Sequence, residues 1–402
     1  MAEDNVDYNA MSTEELIKLE KHYASESARY STAQLAKKVL LNSLYGALGQ
    51  KDFRYFDVAL ASSVTLSGQL AIKWIERKVN EFIDRLTGVP KDRVVLIDTD
   101  SIVIDLEDLV LQKCPNLERS KQLDFLNVFG EKAMNPFIEK SYQEMAEYIN
   151  AYEQKMHMKR ENIFNVLVSC ARKMYAGSVY NSEGVQYSIE DPKWKIMGLA
   201  LVKSSTPKPI RGSLKETLEI ILRNGTEADV QKKFQEVKTL FHSLSVEDIA
   251  FPRGVTSISQ YDFGIVSRQA KRETDPKKRA ELMAKLKDKD GTTLNRCYVN
   301  GTPIQARASL LYNELIDKYG LSQRYQKIED SGRVNFVYLK MPNPIRENVI
   351  GFVDKLPPEF GLHDYVDWDN MFDKSYVSAM EAITDKLDWK LEKEDSLDDF
   401  FC

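Results

Sequence analysis

The sequence predicts an α+β fold. Three observations carry this: a capped helical run near the start, β-branched apolar segments around an acidic turn at 94–106, and helical periodicity beyond residue 207. Ser12-Thr13-Glu14-Glu15 is a capping box, in which Ser12 caps the N–H of Glu15 and the Glu15 carboxylate reaches back to Ser12. Helical patterning continues to about Gly46 or Gly49, a rod of roughly 50 Å at about 1.5 Å per residue, with a break expected near Ser31-Thr32. A second helical stretch, 57–86, ends at Gly88-Val89-Pro90.

Residues 94–106 read VVLIDTDSIVIDL, two apolar runs around Asp98-Thr99-Asp100-Ser101, and predict a largely buried hairpin with acids at its mouth. From about Ser120 to Glu161 the pattern is helical, with Phe125, Phe129, Met134, Phe137 and Met145 as its apolar positions. Residues 162–187 alternate like strands and 194–202 continue in that manner. A domain boundary is expected near Pro207 to Pro209, followed by helices over 214–223 and 226–244, a basic mixed region, and a Pro-containing segment at 342–358.

Composition narrows the function classes. A chain of 402 residues, 43% hydrophobic and 29% charged, is long enough for two or three globular domains. No uninterrupted apolar stretch reaches the roughly 18 residues that span a bilayer, and the first residues resemble neither a signal nor a transit peptide. A cytoplasmic protein without a membrane partner is the expectation. Cys114, Cys170, Cys297 and Cys402 contain no CxxC pair, and the four histidines are scattered, so a disulfide framework, a zinc site and a Ser-His-Asp triad find no support. The net charge of −5 is unevenly spread, since 251–340 holds 17 Lys and Arg against 10 Asp and Glu, whereas 341–402 holds 6 against 15. A basic block of that size can neutralise phosphates, although a solvated surface would read the same way.

Two constellations carry chemistry. Lys38, Asn42 and Tyr45 fall at i, i+4 and i+7 on one helix face, where a cation, an amide and an amphipathic ring can meet phosphate, sugar edge and base pair. The same spacing also describes an ordinary amphipathic helix. Asp98 and Asp100 sit where two apolar strands meet, and paired carboxylates beside a core are costly unless a cation neutralises them. Being two apart in an extended chain, they point to opposite faces unless the turn gathers them, so one principal ligand is expected.

The stretch 37–49, KKVLLNSLYGALG, and the turn Asp98 to Ser101 resemble motifs B and C of family B DNA polymerases, and within that family the replicative enzymes of T-even-type bacteriophages. Arg172-Lys173-Met174-Tyr175 resembles the family's basic KxY element, and Lys195-Ile196-Met197-Gly198 with Lys203-Ser204-Ser205-Thr206-Pro207 its palm-to-thumb passage. The similarity runs over nearly the whole chain, in the family's order, but over only the C-terminal part of the family's length. Leu96-Ile97 stands where the family commonly has Tyr-Gly.

The resemblance implies a helical fingers arm, a palm with an antiparallel β-sheet and a mainly helical thumb. It divides the chain into 1–56 (fingers helix and start of the palm), 57–206 (palm), 207–395 (thumb) and 396–402 (a sliding-clamp-binding peptide). Asp100 would be the catalytic, metal-binding aspartate and Asp98 its neighbouring acid, with Glu161 a palm carboxylate near the metals. Lys38, Asn42 and Tyr45 would face the incoming dNTP. Arg172, Lys173, Tyr175 and Lys203 would hold the primer-template DNA, and Leu397, Phe400 and Phe401 would dock on the clamp. The cofactor implied is Mg²⁺, two ions in number.

The family also uses an acid from an upstream motif A of the type DxxSLYP and a basic fingers helix, and neither pattern occurs here. Beginning with Met and a capped helix that resembles the second fingers helix, the chain reads as one half of a polymerase divided within the fingers. An N-terminal subunit carrying motif A, and with it an exonuclease, would be the partner that shares the ions. The rival reading is a noncatalytic subunit that binds DNA and tethers the clamp. A metal-dependent nuclease using the same acids leaves the Lys38-Asn42-Tyr45 face without a role.

Overall fold

The computed structural model describes residues 11–288 and 291–392. Their contacts form two compact units, the described residues of Met1–Pro115 with Phe129–Lys159, and those of Asn116–Val128 with Arg160–Cys402.

The first unit opens with α1, Thr13–Leu48, whose capping box forms as the sequence predicts: Glu15 N–H donates to Ser12 Oγ, and Ser12 N–H donates to Glu15 Oε2 at 2.8 Å. The helix does not break at Ser31-Thr32, because the Thr32 hydroxyl donates to the Ala28 carbonyl at 2.8 Å and stays within the helical ladder. No residue of α1 is buried. After an Asp57 cap comes α2, Val58–Thr87, closed by Gly88 at φ +73°. Over 18 residues α2 is apolar enough in composition to cross a bilayer, although Ser62, Ser63, Thr65 and Gln69 interrupt it. Its stripe Ala71, Ile72, Ile75, Val79 and Ile83 is buried at helical spacing.

That stripe meets the hairpin of β1, Val94–Asp98, and β2, Ser101–Ile104, then α3, Glu107–Lys113. After α4, Arg119–Phe129, a π-helical turn at Gly130–Met134 leads into α5, Asn135–Tyr148. Met134, Ile138, Tyr142 and Met145 pack with Ala71, Ile75, Val79 and Ile83, and Val94, Ile102 and Ile104 of the hairpin lie half-buried on this core. Trp74 Nε1 donates to the Ser141 carbonyl at 2.9 Å, and Phe82 stacks on Phe137 at 4.2 Å, tying α2 to α5. The helix expected to reach Glu161 stops at Tyr148, where Asn150 turns left-handed at φ +50°.

The second unit holds a four-stranded antiparallel sheet of β3, Asn162–Ala171, β4, Met174–Ser182, β5, Val185–Gln186, and β6, Lys193–Met197, with β3, β5 and β6 all pairing β4. Next come α6, Lys208–Leu222, α7, Glu227–Ser243, and α8, Val246–Ile249. Cys170, Ala176, Leu199 and Leu201 share one core with Ile210 and Leu214, so packing continues across the Pro207 passage. The later residues mix helices with a second sheet: β7, Phe251–Gly254, α9, Phe263–Arg272, α10, Pro276–Lys285, α11, Ile304–Lys318, β8, Arg333–Tyr338, β9, Val349–Phe352, α12, Trp368–Phe372, and α13, Ser378–Thr384. β8 is central between β7 and β9, and α11 lies so close to β9 that a Cβ at Gly351 would sit 2.8 Å from the Ala308 carbonyl oxygen. The chain is thus α+β, with small antiparallel sheets among helices.

Candidate active site

Asp98 and Ser101 pair across the hairpin and leave Thr99 and Asp100 as its tip. The Asp100 N–H donates to the Asp98 carbonyl at 2.7 Å while Thr99 holds φ +58°. A bond spanning two residues around a central residue of positive φ is the γ-turn pattern, rare and strained, and more so with a β-branched Thr at its centre. The Thr99 hydroxyl donates to Asp98 Oδ1 at 3.1 Å and the Ser101 hydroxyl to the Asp98 carbonyl at 3.2 Å, so both local hydroxyls brace Asp98. Asp98 is half-buried and Asp100 exposed. Strain concentrated beside two carboxylates is of the kind that functional turns retain.

The Tyr142 hydroxyl of α5 has its pKa raised first by burial and then by the negative charge of Asp100. Two carboxylates are hard oxygen donors of the type Mg²⁺ takes. Among the described residues no group of three or more His, Cys, Asp or Glu gathers to hold an ion. Glu161 belongs to the second unit, where Lys195 Nζ pairs with its Oε1 at 3.1 Å. Sequence reading missed Lys195, which lies within β6, as the partner of Glu161 just before β3.

Lys38, Asn42 and Tyr45 all lie exposed on the last third of α1. The helix delivers them as a row, with Leu40 and Leu44 exposed on the neighbouring face.

In the second unit, β3 and β4 are joined by Arg172 and Lys173 alone, between the paired Ala171 and Met174. Lys173 takes φ +62°, and Arg172 and Lys173 are both exposed. Tyr175 is half-buried between Ser169 of β3 and Met197 of β6. One residue on, Gly198 holds φ +68° against the Lys173 carbonyl. The two motifs read separately from the sequence therefore meet on adjacent strands, β4 and β6. Lys203 is exposed where a 3₁₀ turn ends, and its carbonyl accepts from Thr206 N–H at 3.1 Å. Leu397, Phe400 and Phe401 lie outside the described residues.

Residues 12–120, which hold both the Lys38 face and the Asp98–Asp100 turn, match the family model for DNA polymerase family B. The chain is 31% identical over 393 residues to the DNA-directed DNA polymerase of Enterobacteria phage T4, covering 92% of this chain and 39% of that protein. It is 31% identical over 386 residues to the corresponding enzyme of Escherichia phage RB69, covering 92% and 38%. The DNA polymerase delta catalytic subunit of Candida albicans is 26% identical over 207 residues, 51% of this chain and 17% of that one. This chain thus spans about two fifths of the length of its phage relatives. The motif B and motif C residues both lie inside the segment that matches DNA polymerase family B, and the similarity to the phage enzymes runs over nearly the whole chain.

Proposed function

We propose that this chain is the C-terminal part of a DNA-directed DNA polymerase that adds nucleotides to a primer 3′-OH under template direction during viral DNA replication in the host cytoplasm. The strained tip that holds Asp98 and Asp100, inside a segment matching the family, is the observation that carries the reading. Asp100, with Asp98 beside it, would hold divalent cations together with an acid that this chain does not supply. When bound, two Mg²⁺ ions would activate the 3′-OH and neutralise the departing pyrophosphate. Lys38 and Asn42 would orient the triphosphate, and Tyr45 would lie against the nascent base pair. Arg172, Lys173 and Lys203 would neutralise backbone phosphates, with Tyr175 packing at the sugar edge, so that most of the rate comes from positioning and charge. Glu161, through Lys195, would order the adjacent sheet edge.

The missing acid and the other fingers helix would come from a separate N-terminal polypeptide. Two features support a complementary segment: α1 has no buried residue, and among the described residues the acidic hairpin is a sheet of only two strands with open edges. The acidic end, with Leu397, Phe400 and Phe401, would dock in an apolar groove of a sliding clamp.

The test is extension of primed DNA with dNTPs and Mg²⁺, by the chain alone and with the complementary polypeptide. Synthesis that requires both supports the divided enzyme, and synthesis by this chain alone refutes the division. DNA binding and clamp tethering without synthesis in any combination would favour the noncatalytic reading. Removal of 396–402 should lower processivity with the clamp and leave distributive synthesis intact; equal loss of both would contradict tethering.

A further inference from the structure

Arg93, immediately before β1, is the largest fully buried side chain among the described residues, at 0% exposure. An arginine is rarely buried unless it is paired. Its Nη1 donates to Asp108 Oδ2 at 2.6 Å, and its Nη2 to Thr87 Oγ1 at 3.1 Å and the Val89 carbonyl at 3.0 Å. Asp84 Oδ1 lies 3.7 Å from Nε. The guanidinium thus occupies the C-terminal end of α2, where the helix dipole favours a cation. The backbone of Arg93 is held as well: its N–H donates to Asn80 Oδ1 at 2.9 Å, and its carbonyl accepts from Asp105 N–H at 2.8 Å, across the open end of the hairpin. Lys91 adds ion pairs to Asp105 at 3.0 Å and Asp108 at 3.3 Å. The base of the hairpin is clamped from both strands, while its tip is exposed.

We propose that Arg93 is a positioning residue that fixes the direction of the β1–β2 hairpin, and through it the place of the Asp98 and Asp100 carboxylates. This rests on the polymerase reading above. The lever arm gives the reason. Five residues separate the clamp from the tip, about 17 Å at roughly 3.3 Å per residue, so a tilt of about 5° at the base displaces the tip by about 1.5 Å. Metal coordination tolerates about 0.2 Å, and catalytic placement about 0.5 Å. A two-stranded ribbon has little stiffness of its own, so its orientation is inherited from its base.

Arg93→Met keeps the stem and removes the fork. Asp108 and Asp84 keep side-chain exposures of 41% and 27%, so water can solvate the released carboxylates and the fold should survive. Arg93→Lys keeps the charge without the fork and should recover only part of the function. The experiment is rapid-quench nucleotide incorporation by the full chain, assembled with its complementary segment, alongside hydrogen exchange of the same protein. The expected result for Arg93→Met is a burst rate lower by about 100-fold, with burst amplitude and apparent dNTP affinity unchanged. Exchange in 94–104 should quicken while 71–83 stays protected. A lower amplitude at an unchanged rate would reduce Arg93 to a stabilising residue and overturn the proposal, as would hairpin exchange identical to wild type. If the wild-type assembly incorporates nothing, the polymerase reading fails, and the exchange measurement alone decides whether Arg93 directs the hairpin.

Discussion

The carbonyl oxygen of Lys173 fills the space that a Cβ on Gly198 would need, with Gly198 held at φ +68°. A turn of β3–β4 and the end of β6 are thereby locked together, and any side chain at 198 must push the basic turn outward. Gly198→Ala should destabilise the chain by roughly 1–3 kcal/mol, the usual cost of a left-handed non-glycine residue, to which the steric overlap adds. If Arg172 and Lys173 hold DNA, affinity for primer-template should fall more than the rate of incorporation from the bound complex. Anisotropy titration against single-turnover kinetics separates the two, and unchanged affinity would detach this turn from DNA binding.

Asp100→Ala should abolish incorporation by the assembled enzyme while leaving DNA binding within a few-fold, since the exposed carboxylate carries little of the packing. Near-normal turnover would remove Asp100 from the site. Lys38→Ala should raise the apparent dNTP dissociation constant or slow incorporation by about 10-fold or more, as loss of one charge-assisted phosphate contact costs roughly 1.5–3 kcal/mol. Nucleotide kinetics that do not change would count against a triphosphate contact.

Much of this was legible in the residues and some was not. The capping box at Ser12 and Glu15 announces α1, and the β-branched runs around Asp98 announce the hairpin, because both signals are local. The break expected at Ser31-Thr32 fails because Thr32 can satisfy its hydroxyl within the helix. Three-dimensional features escaped: the left-handed Thr99, the close approach at Gly198, and the burial of Arg93 each depend on neighbours distant in sequence or on a backbone choice that composition does not encode. The pairing of β7 with β8 was hidden in the basic region, since Phe251 and its partner Phe336 lie 85 residues apart.

Acid should loosen the hairpin base before the rest of its unit. The hydrogen bond from Arg93, followed by that from Lys91, holds the Asp108 carboxyl below its ordinary pKa. A folded-state pKa that is depressed contributes stability in full above the unfolded value and loses it as pH falls through the folded one. The contribution is therefore complete above about pH 5 and fades below about pH 4. Hydrogen exchange of 94–104, measured from pH 3 to 7 with correction for intrinsic rates, should show this in the wild type. In Asp108→Asn the acid-dependent part should vanish; the same pH profile in both proteins would assign the loosening to other carboxylates.

If a complementary polypeptide binds this chain, the exposed face of α1 is the surface it would cover. Leu40 is 72% and Leu41 69% exposed, and Leu35, Val39 and Leu44 are also in solvent, on a helix with nothing buried. An apolar stripe of this length marks an association surface. Each leucine covered by another chain contributes about 1.5–3 kcal/mol, so Leu40→Gln with Leu44→Gln should weaken assembly by roughly 3–6 kcal/mol, about 100-fold or more in dissociation constant. Glutamine keeps the helix propensity, so the change acts on the surface and not on the fold. Light scattering should show less self-association of the doubly substituted chain on its own, and native mass spectrometry should show less complex with the complementary polypeptide. A wild-type chain that stays monomeric at high concentration and synthesises DNA unaided would show that this face needs no cover.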